Sequence, residues 1–306
     1  MDIVCIGAGV MASAFALSQR NHQVSIIASE YDAKIVSEIQ GSGRDSRLDV
    51  DWNSNIQFHA ANDTLDGVQA DLIVIGVSSQ GIDWAISIAQ KIIREVGNSL
   101  PVVLLTKGLV LKGTQVTLLA DEVSKQLVTD VFSITGPCIA KELAHQKPTQ
   151  VELSGSNGVL LPEIAAIITQ SNYIIRMNSD YVGCQWASAL KNVYAIAIAQ
   201  AGDDHNLRST RFSDAVIEMA QWSKAMGGLE STVFGLSGVG DLYVTCLGGR
   251  NGRLGRYLSQ GITVSDIMSG PMNGVTVEGL DLARELCHLP VAKHAKMYQN
   301  LLKILL

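Results

Sequence analysis

The 306-residue sequence predicts an α/β N-terminal region on a doubly wound, mostly parallel sheet, followed by an all-α C-terminal region. Three observations predict it. Short β-branched runs alternate with longer amphipathic stretches over about the first 150 residues, as when strands are joined by crossover helices. A glycine-rich turn, Gly7-Ala8-Gly9-Val10-Met11-Ala12, separates the first strand run from the first helix run. Beyond residue 178 the strand runs cease and helical periodicity takes over, which divides the chain into domains 1–178 and 179–306.

Taken in order, residues 2–6 read as a strand, 12–19 as a helix, 23–28 as a strand and 32–39 as a helix. Residues 71–77, Asp-Leu-Ile-Val-Ile-Gly-Val, are a nearly continuous apolar run, expected of a strand buried on both faces. A helix over 82–96, a strand over 101–105, a helix over 113–127 and strands over 131–135 and 149–154 follow. In the second domain Ser179 or Asp180 is placed to cap a helix reaching residue 200. Further helices are expected over 211–227, 253–260, 263–268, 278–287 and 292–305. Between two of them, Gly235–Gly255 is too polar and too rich in glycine to form one helix.

Composition narrows the function. With 47% hydrophobic and 17% charged residues the chain can bury a core and is not disordered. Its net charge of −6, without a long basic run, argues against a nucleic-acid or anionic-membrane surface. An acidic chain that binds an anionic metabolite must therefore focus a few cations in one pocket. No apolar run reaches the roughly 18–20 residues that cross a bilayer, and the opening residues lack a basic signal-peptide region. Five scattered cysteines show no metal-ligand spacing, and the six histidines none either. The expectation is a cytoplasmic protein without a metal.

The turn carries the first chemistry. Gly7 permits a tight bend, Gly9 lets a pyrophosphate approach the backbone, and the small Ala12 allows close helix–strand packing. The amides of the following helix, from Val10 and Met11 onward, offer partial positive charge to phosphates. Placed after the first strand of a βαβ unit, this marks a Rossmann dinucleotide-binding domain. At the end of the second strand, Ser29 and Glu30 stand where the ribose is recognised. Glu30 favours a 2′-hydroxyl and hence NAD. Ser29, with Lys34 near in sequence, can equally serve a 2′-phosphate, so NADP stays open beside a slight lean to NAD. Ser78 lies in the loop after the third main strand, on the same sheet edge, and Lys107 follows the next strand, placed for an anionic or carbonyl-bearing substrate.

The second domain supplies the remaining candidates. On a helix Lys191 has Ala187, Ser188, Tyr194 and Ala195 as neighbours and no carboxylate among them. A lysine desolvated on such a face is disposed to proton transfer, although a lysine extending its ammonium to solvent reads the same way. Asp241 and Arg250 are flanked by glycines that leave room for a ligand, and Arg250-Asn251 makes a phosphate grip of fork and amide.

These pieces, in this order, resemble the NAD(P)-dependent glycerol-3-phosphate dehydrogenase family over nearly the whole chain. The likeness rests on Gly7–Ala12, Thr106-Lys107-Gly108, Gly136-Pro137-Cys138-Ile139-Ala140-Lys141-Glu142-Leu143, Ala189-Leu190-Lys191-Asn192-Val193, Gly240-Asp241-Leu242, Thr245-Cys246, Arg250-Asn251 and Val277-Glu278-Gly279. It implies reversible hydride transfer between NAD(P)H and dihydroxyacetone phosphate, feeding glycerophospholipid synthesis, in a homodimer. It implies Lys191 as general acid, with Lys107 and Asp241 assisting. Gly136, Asn192, Thr245, Arg250 and Asn251 then fall to the substrate, along with Lys107 and Lys191. Ser78, Lys107, Ala140, Arg250 and Glu278 fall to the cofactor, besides Gly7, Gly9, Val10, Met11, Ser29 and Glu30.

There are departures. Val77-Ser78-Ser79 lacks the family's proline, Ile139 stands for an aromatic residue, the loop 202–205 is shortened, and Asp214 replaces an arginine. Two other functions fit parts of the pattern: reduction of another small ketone such as ketopantoate, and dinucleotide sensing without turnover. The first has no need of the Gly-Gly-Arg-Asn grip, and the second has no need of Lys191.

Overall fold

The computed structural model describes residues 1–60, 65, 67–97, 99–113 and 115–306. The chain divides into two compact units, Met1–Lys107 with Leu119–Ser179, and Gly108–Leu118 with Asp180–Leu306. The first is α/β and the second mostly helical, the fold class that the strand–helix alternation predicts.

In the first unit β1 (Asp2–Ile6) leads into α1 (Val10–Ser18), β2 (Gln23–Ala28) and α2 (Ala33–Ser42). A small hairpin, β3 (Arg44–Asp45) and β4 (Val50–Asp51), precedes β5 (Ile56–Ala60). Then come β6 (Leu72–Ile75), α3 (Ile82–Val96) and β7 (Val102–Leu104). A second hairpin, β8 (Leu109–Lys112) and β9 (Gln115–Leu118), is grouped with the other unit. The chain returns through α4 (Leu119–Leu127), β10 (Val131–Thr135), α5 (Ala140–Ala144), β11 (Thr149–Gly155), α6 (Leu161–Ile168) and β12 (Tyr173–Met177).

Eight strands form one sheet in the order β12-β11-β10-β7-β6-β1-β2-β5, parallel except for the β10–β11 pair. β6 is buried at every position, as its continuous apolar run requires. The sheet order changes direction beside β1, so the β1 and β6 ends face a crevice at their carboxyl edge.

The second unit is built around α7 (Tyr181–Ala199), of which sixteen residues are buried. Asp180 caps it by accepting from the Gly183 amide at 2.9 Å. Around α7 lie α8 (His205–Ala225), α9 (Glu230–Val233), α10 (Asp241–Leu247), α11 (Arg250–Ser259), α12 (Val264–Ser269), α13 (Glu278–Glu285) and α14 (Lys296–Leu305). Trp222 stacks on Trp186 and meets Tyr298 edge to face in this core. Among the described residues no helix is long and apolar enough to cross a membrane.

Four sequence expectations need correction. The helix expected over 113–127 starts only at Leu119. Before it the chain makes a hairpin that turns through Gly113 at φ 64°, while Thr114 lies outside the described residues. Alternating Val110, Val116 and Leu118 satisfy a strand period as well as a helical one, and pairing decides between them. β5 and β12 were not expected, because both are half-exposed edge strands without a continuous apolar run. α8 begins six residues before the expected 211, where Asp204 accepts from the Leu207 amide. Finally, α11 starts at Arg250 rather than 253, so the polar Gly235–Gly255 stretch contains helical turns broken at Gly248 and Gly249.

Candidate active site

The first unit holds a cleft of about 1160 Å³ at the carboxyl edge of its sheet. Gly7, Gly9, Ser29, Glu30 and Ser78 line it together. Gly7 sits at φ 101°, where an added Cβ would stand 2.8 Å from Val77 Cγ1, so only glycine fits the bend. Its amide donates to the Ile27 carbonyl at 2.8 Å and fixes the turn to β2. Gly9 is the extended N-cap of α1, and no side chain caps that helix. Its first-turn amides are therefore available to an anion. Ala12 is buried, and a Cβ on Gly76 would come within 2.6 Å of the Ala12 Cβ. The small third residue of the motif thus lets α1 lie tightly on the loop after β6.

Phe58 and Trp84 add aromatic wall to the same cleft. Among its described lining residues there is no lysine or arginine, and Glu30 and Asp32 are the charged ones. Asp32 is a residue that the sequence reading passed over. Its Oδ2 accepts from the Ser29 hydroxyl at 2.7 Å, the Ser29 amide at 3.1 Å and the Ala8 amide at 3.4 Å. The signal was available as Ser29-x-x-Asp32, a capping-box pattern at a strand end. The Ser29 hydroxyl proton is committed to this carboxylate, which leaves that residue poorly disposed to donate to a 2′-phosphate.

On the other candidates of this unit, Val10 is exposed at the start of α1, and Met11 receives the Cys138 thiol at 3.8 Å. Lys107 donates from Nζ to the Gly136 carbonyl at 3.0 Å, so these two come together. Thr106 Oγ1 donates to the Val77 carbonyl at 2.7 Å, tying the loops after β6 and β7. Ala140 opens α5 behind an exposed Ile139.

In the second unit Lys191 lies in the middle of α7 and only 8% of it is exposed. Its Nζ donates to Oδ1 of Asp241, itself 2% exposed. The partner missing from α7 is thus supplied from fifty residues downstream. Asp241 opens α10 directly after a π-helical turn, Leu236–Gly240, a local irregularity frequent at functional sites. Two opposite charges removed from water must compensate each other, and this pair does so.

The next residue, Asn192, begins a polar chain. Its Nδ2 donates to Glu278 Oε2 at 3.3 Å, and its Oδ1 accepts from Asn251 Nδ2 at 2.9 Å. Asn251 Oδ1 accepts from the Gly279 amide at 3.1 Å. Arg250 Nη2 lies 3.7 Å from Glu278 Oε1, with 53% of its side chain exposed. α7, α11 and α13 are locked by this chain, and the Arg250 fork is held at its solvent end. Thr245 Oγ1 donates to the Asp241 carbonyl at 2.7 Å, so its proton serves its own helix. Lys191, Asp241, Asn192, Arg250, Asn251, Thr245 and Glu278 therefore belong to one unit, although they come from four helices.

Both parts of the chain match known proteins. Residues 2–159 match the family model described as NAD-dependent glycerol-3-phosphate dehydrogenase N-terminus, and residues 180–305 match the one for its C-terminus. A protein of Archaeoglobus fulgidus named NADP(+)-dependent glycerol-3-phosphate dehydrogenase is 31% identical over 88% of this chain and 83% of its own. One of Methylobacillus flagellatus, named glycerol-3-phosphate dehydrogenase [NAD(P)+], is 32% identical over 94% and 87%. The crystal structure of glycerol-3-phosphate dehydrogenase from Coxiella burnetii superposes with a TM-score of 0.82 at 25% identity, covering 99% of this chain and 94% of that one.

Proposed function

The chain belongs to the NAD-dependent glycerol-3-phosphate dehydrogenase family, whose members are NAD(P)-dependent oxidoreductases acting on a CH–OH group, and from that premise we propose how its residues divide the reaction. The substrate pair is dihydroxyacetone phosphate and sn-glycerol 3-phosphate. The observation that carries the reading is the buried Lys191–Asp241 pair in the same unit as the half-exposed Arg250.

In this reading the unit of Met1–Lys107 and Leu119–Ser179 holds the cofactor and the helical unit the substrate, a division that differs from 1–178 and 179–306 chiefly by the hairpin Gly108–Leu118. The cleft suits a dinucleotide, since Gly7 and Gly9 give close backbone approach and the uncapped α1 offers amides to the pyrophosphate. The family resemblance assigns Val10, Met11, Ser29, Glu30, Ser78, Lys107 and Ala140 to the cofactor as well, and Arg250 and Glu278 of the helical unit. When bound, the reduced nicotinamide supplies a hydride to the carbonyl carbon. Lys191 gives a proton from Nζ to the carbonyl oxygen, so the ketone becomes an alcohol and the lysine is left neutral. Asp241 holds the ammonium in place before transfer. Lys107 orients the substrate beside Gly136. Arg250 grips the phosphate as a bidentate donor, helped by Asn192 and Asn251, while the Thr245 hydroxyl, implied for the substrate by the family resemblance, is committed to its own helix.

For the cofactor we favour NADH over NADPH. Glu30 and Asp32 repel a 2′-phosphate, no cation is found among the described lining residues, and Ser29 is committed to Asp32. We place the enzyme in the cytoplasm as a homodimer that feeds glycerophospholipid synthesis, as its family resemblance implies. The test is the loss of absorbance of NADH and of NADPH with dihydroxyacetone phosphate and with ketopantoate. Turnover with the phosphate ester, faster with NADH, is expected. A folded, dinucleotide-binding protein inert toward the phosphate ester would overturn the reading.

A further inference from the structure

The phosphate-binding turn is held from behind by a side chain that does not line the cleft. Arg47, in the loop of the β3–β4 hairpin, donates from Nη1 to the Ala8 carbonyl at 2.9 Å and from Nη2 to Ser13 Oγ at 3.0 Å. Ser13 Oγ in turn donates to the same Ala8 carbonyl at 3.3 Å. Asp45, with no exposure, receives Arg47 Nη2 at 2.7 Å and Nε at 3.1 Å, and also accepts from the Arg47 amide at 2.9 Å.

We propose that Arg47 is a positioning residue for cofactor binding, orienting the Ala8–Gly9 peptide so that the Gly9 amide faces the dinucleotide phosphates. The reason is peptide geometry. In a planar trans peptide the carbonyl of one residue and the amide of the next point to opposite sides. Anchoring the Ala8 oxygen on Arg47 therefore turns the Gly9 N–H the other way, and Gly9 lines the cleft. A glycine-rich turn is otherwise free to rotate this peptide, because Gly9 has no side chain to resist. Asp32 takes the Ala8 amide, so the two peptides flanking Ala8 are both held. Arg47 contributes orientation rather than attraction at a distance, because Asp45 neutralises it within the same fork. A lysine cannot reproduce this, as a single ammonium does not span Asp45, Ser13 and Ala8 in one plane.

The inference rests on the cleft being a dinucleotide site, and the test separates the two. Dissociation constants for NADH and for adenosine are measured by direct binding on the wild type, Arg47→Lys and the double variant Asp45→Asn with Arg47→Gln. Steady-state constants are taken on the same proteins. The double variant leaves no unpaired buried charge, should Arg47→Lys fold poorly. Arg47→Lys is expected to weaken NADH about 10-fold, with kcat at saturating NADH and the KM for dihydroxyacetone phosphate unchanged. The double variant should do the same, and adenosine, which lacks phosphate, should bind all three proteins alike. Unchanged NADH affinity in either folded variant, or an equal loss for adenosine, would overturn the role of Arg47. A wild type that binds no dinucleotide would instead overturn the reading of the cleft.

Discussion

The candidate sites of the two units are built in different ways. The phosphate-binding turn of the first unit is made of backbone: a bend only Gly7 can take and an uncapped helix start. The cluster of the second unit is made of side chains, in which Lys191, Asn192, Asp241, Arg250, Asn251 and Glu278 satisfy one another across four helices. A backbone site is encoded by a short contiguous motif, whereas a side-chain site exists only after distant segments have packed. The first therefore ought to fail through geometry and the second through lost charge.

The largest geometric effect is expected at Gly7. Gly7→Ala puts a β-carbon 2.8 Å from Val77 Cγ1 at a positive φ, costing about 1–3 kcal/mol in strain alone. NADH affinity should fall on the order of 100-fold by fluorescence titration if the bend gives way, with the buried Lys191 pair untouched. Binding within a factor of about 2 of the wild type would mean that the turn does not hold the cofactor.

A smaller, selective effect is expected at Arg250. Arg250→Ala removes the proposed phosphate fork and releases Glu278, so the apparent KM for dihydroxyacetone phosphate should rise on the order of 10-fold. Steady-state kinetics at saturating NADH checks it, and an unchanged KM would move the phosphate grip elsewhere.

The same contrast explains what the sequence made legible. The dinucleotide turn and the strand after it could be placed because glycine spacing and an unbroken apolar run are local properties. Asp241 could be joined to Lys191 only through the family resemblance, because helical neighbours reveal only pairs on one helix. The hydrogen-bonded chain from Asn192 to Gly279 was equally hidden, since each amide could have faced a ligand. Elsewhere, the hairpin of Leu109–Lys112 and Gln115–Leu118 was hidden by an apolar spacing that suits two periods. Edge strand Tyr173–Met177 was hidden by its own exposure, which removes the apolar signal that marks an inner strand.

In the proposed division of labour Lys191 moves the proton while the first unit holds the dinucleotide. Lys191→Ala, assayed for NADH binding and for turnover of dihydroxyacetone phosphate on the same preparation, tests it most directly. A loss in kcat on the order of 10²–10⁴-fold is expected, with the NADH dissociation constant nearly intact. A variant that binds NADH normally and turns over at near wild-type rate would contradict it.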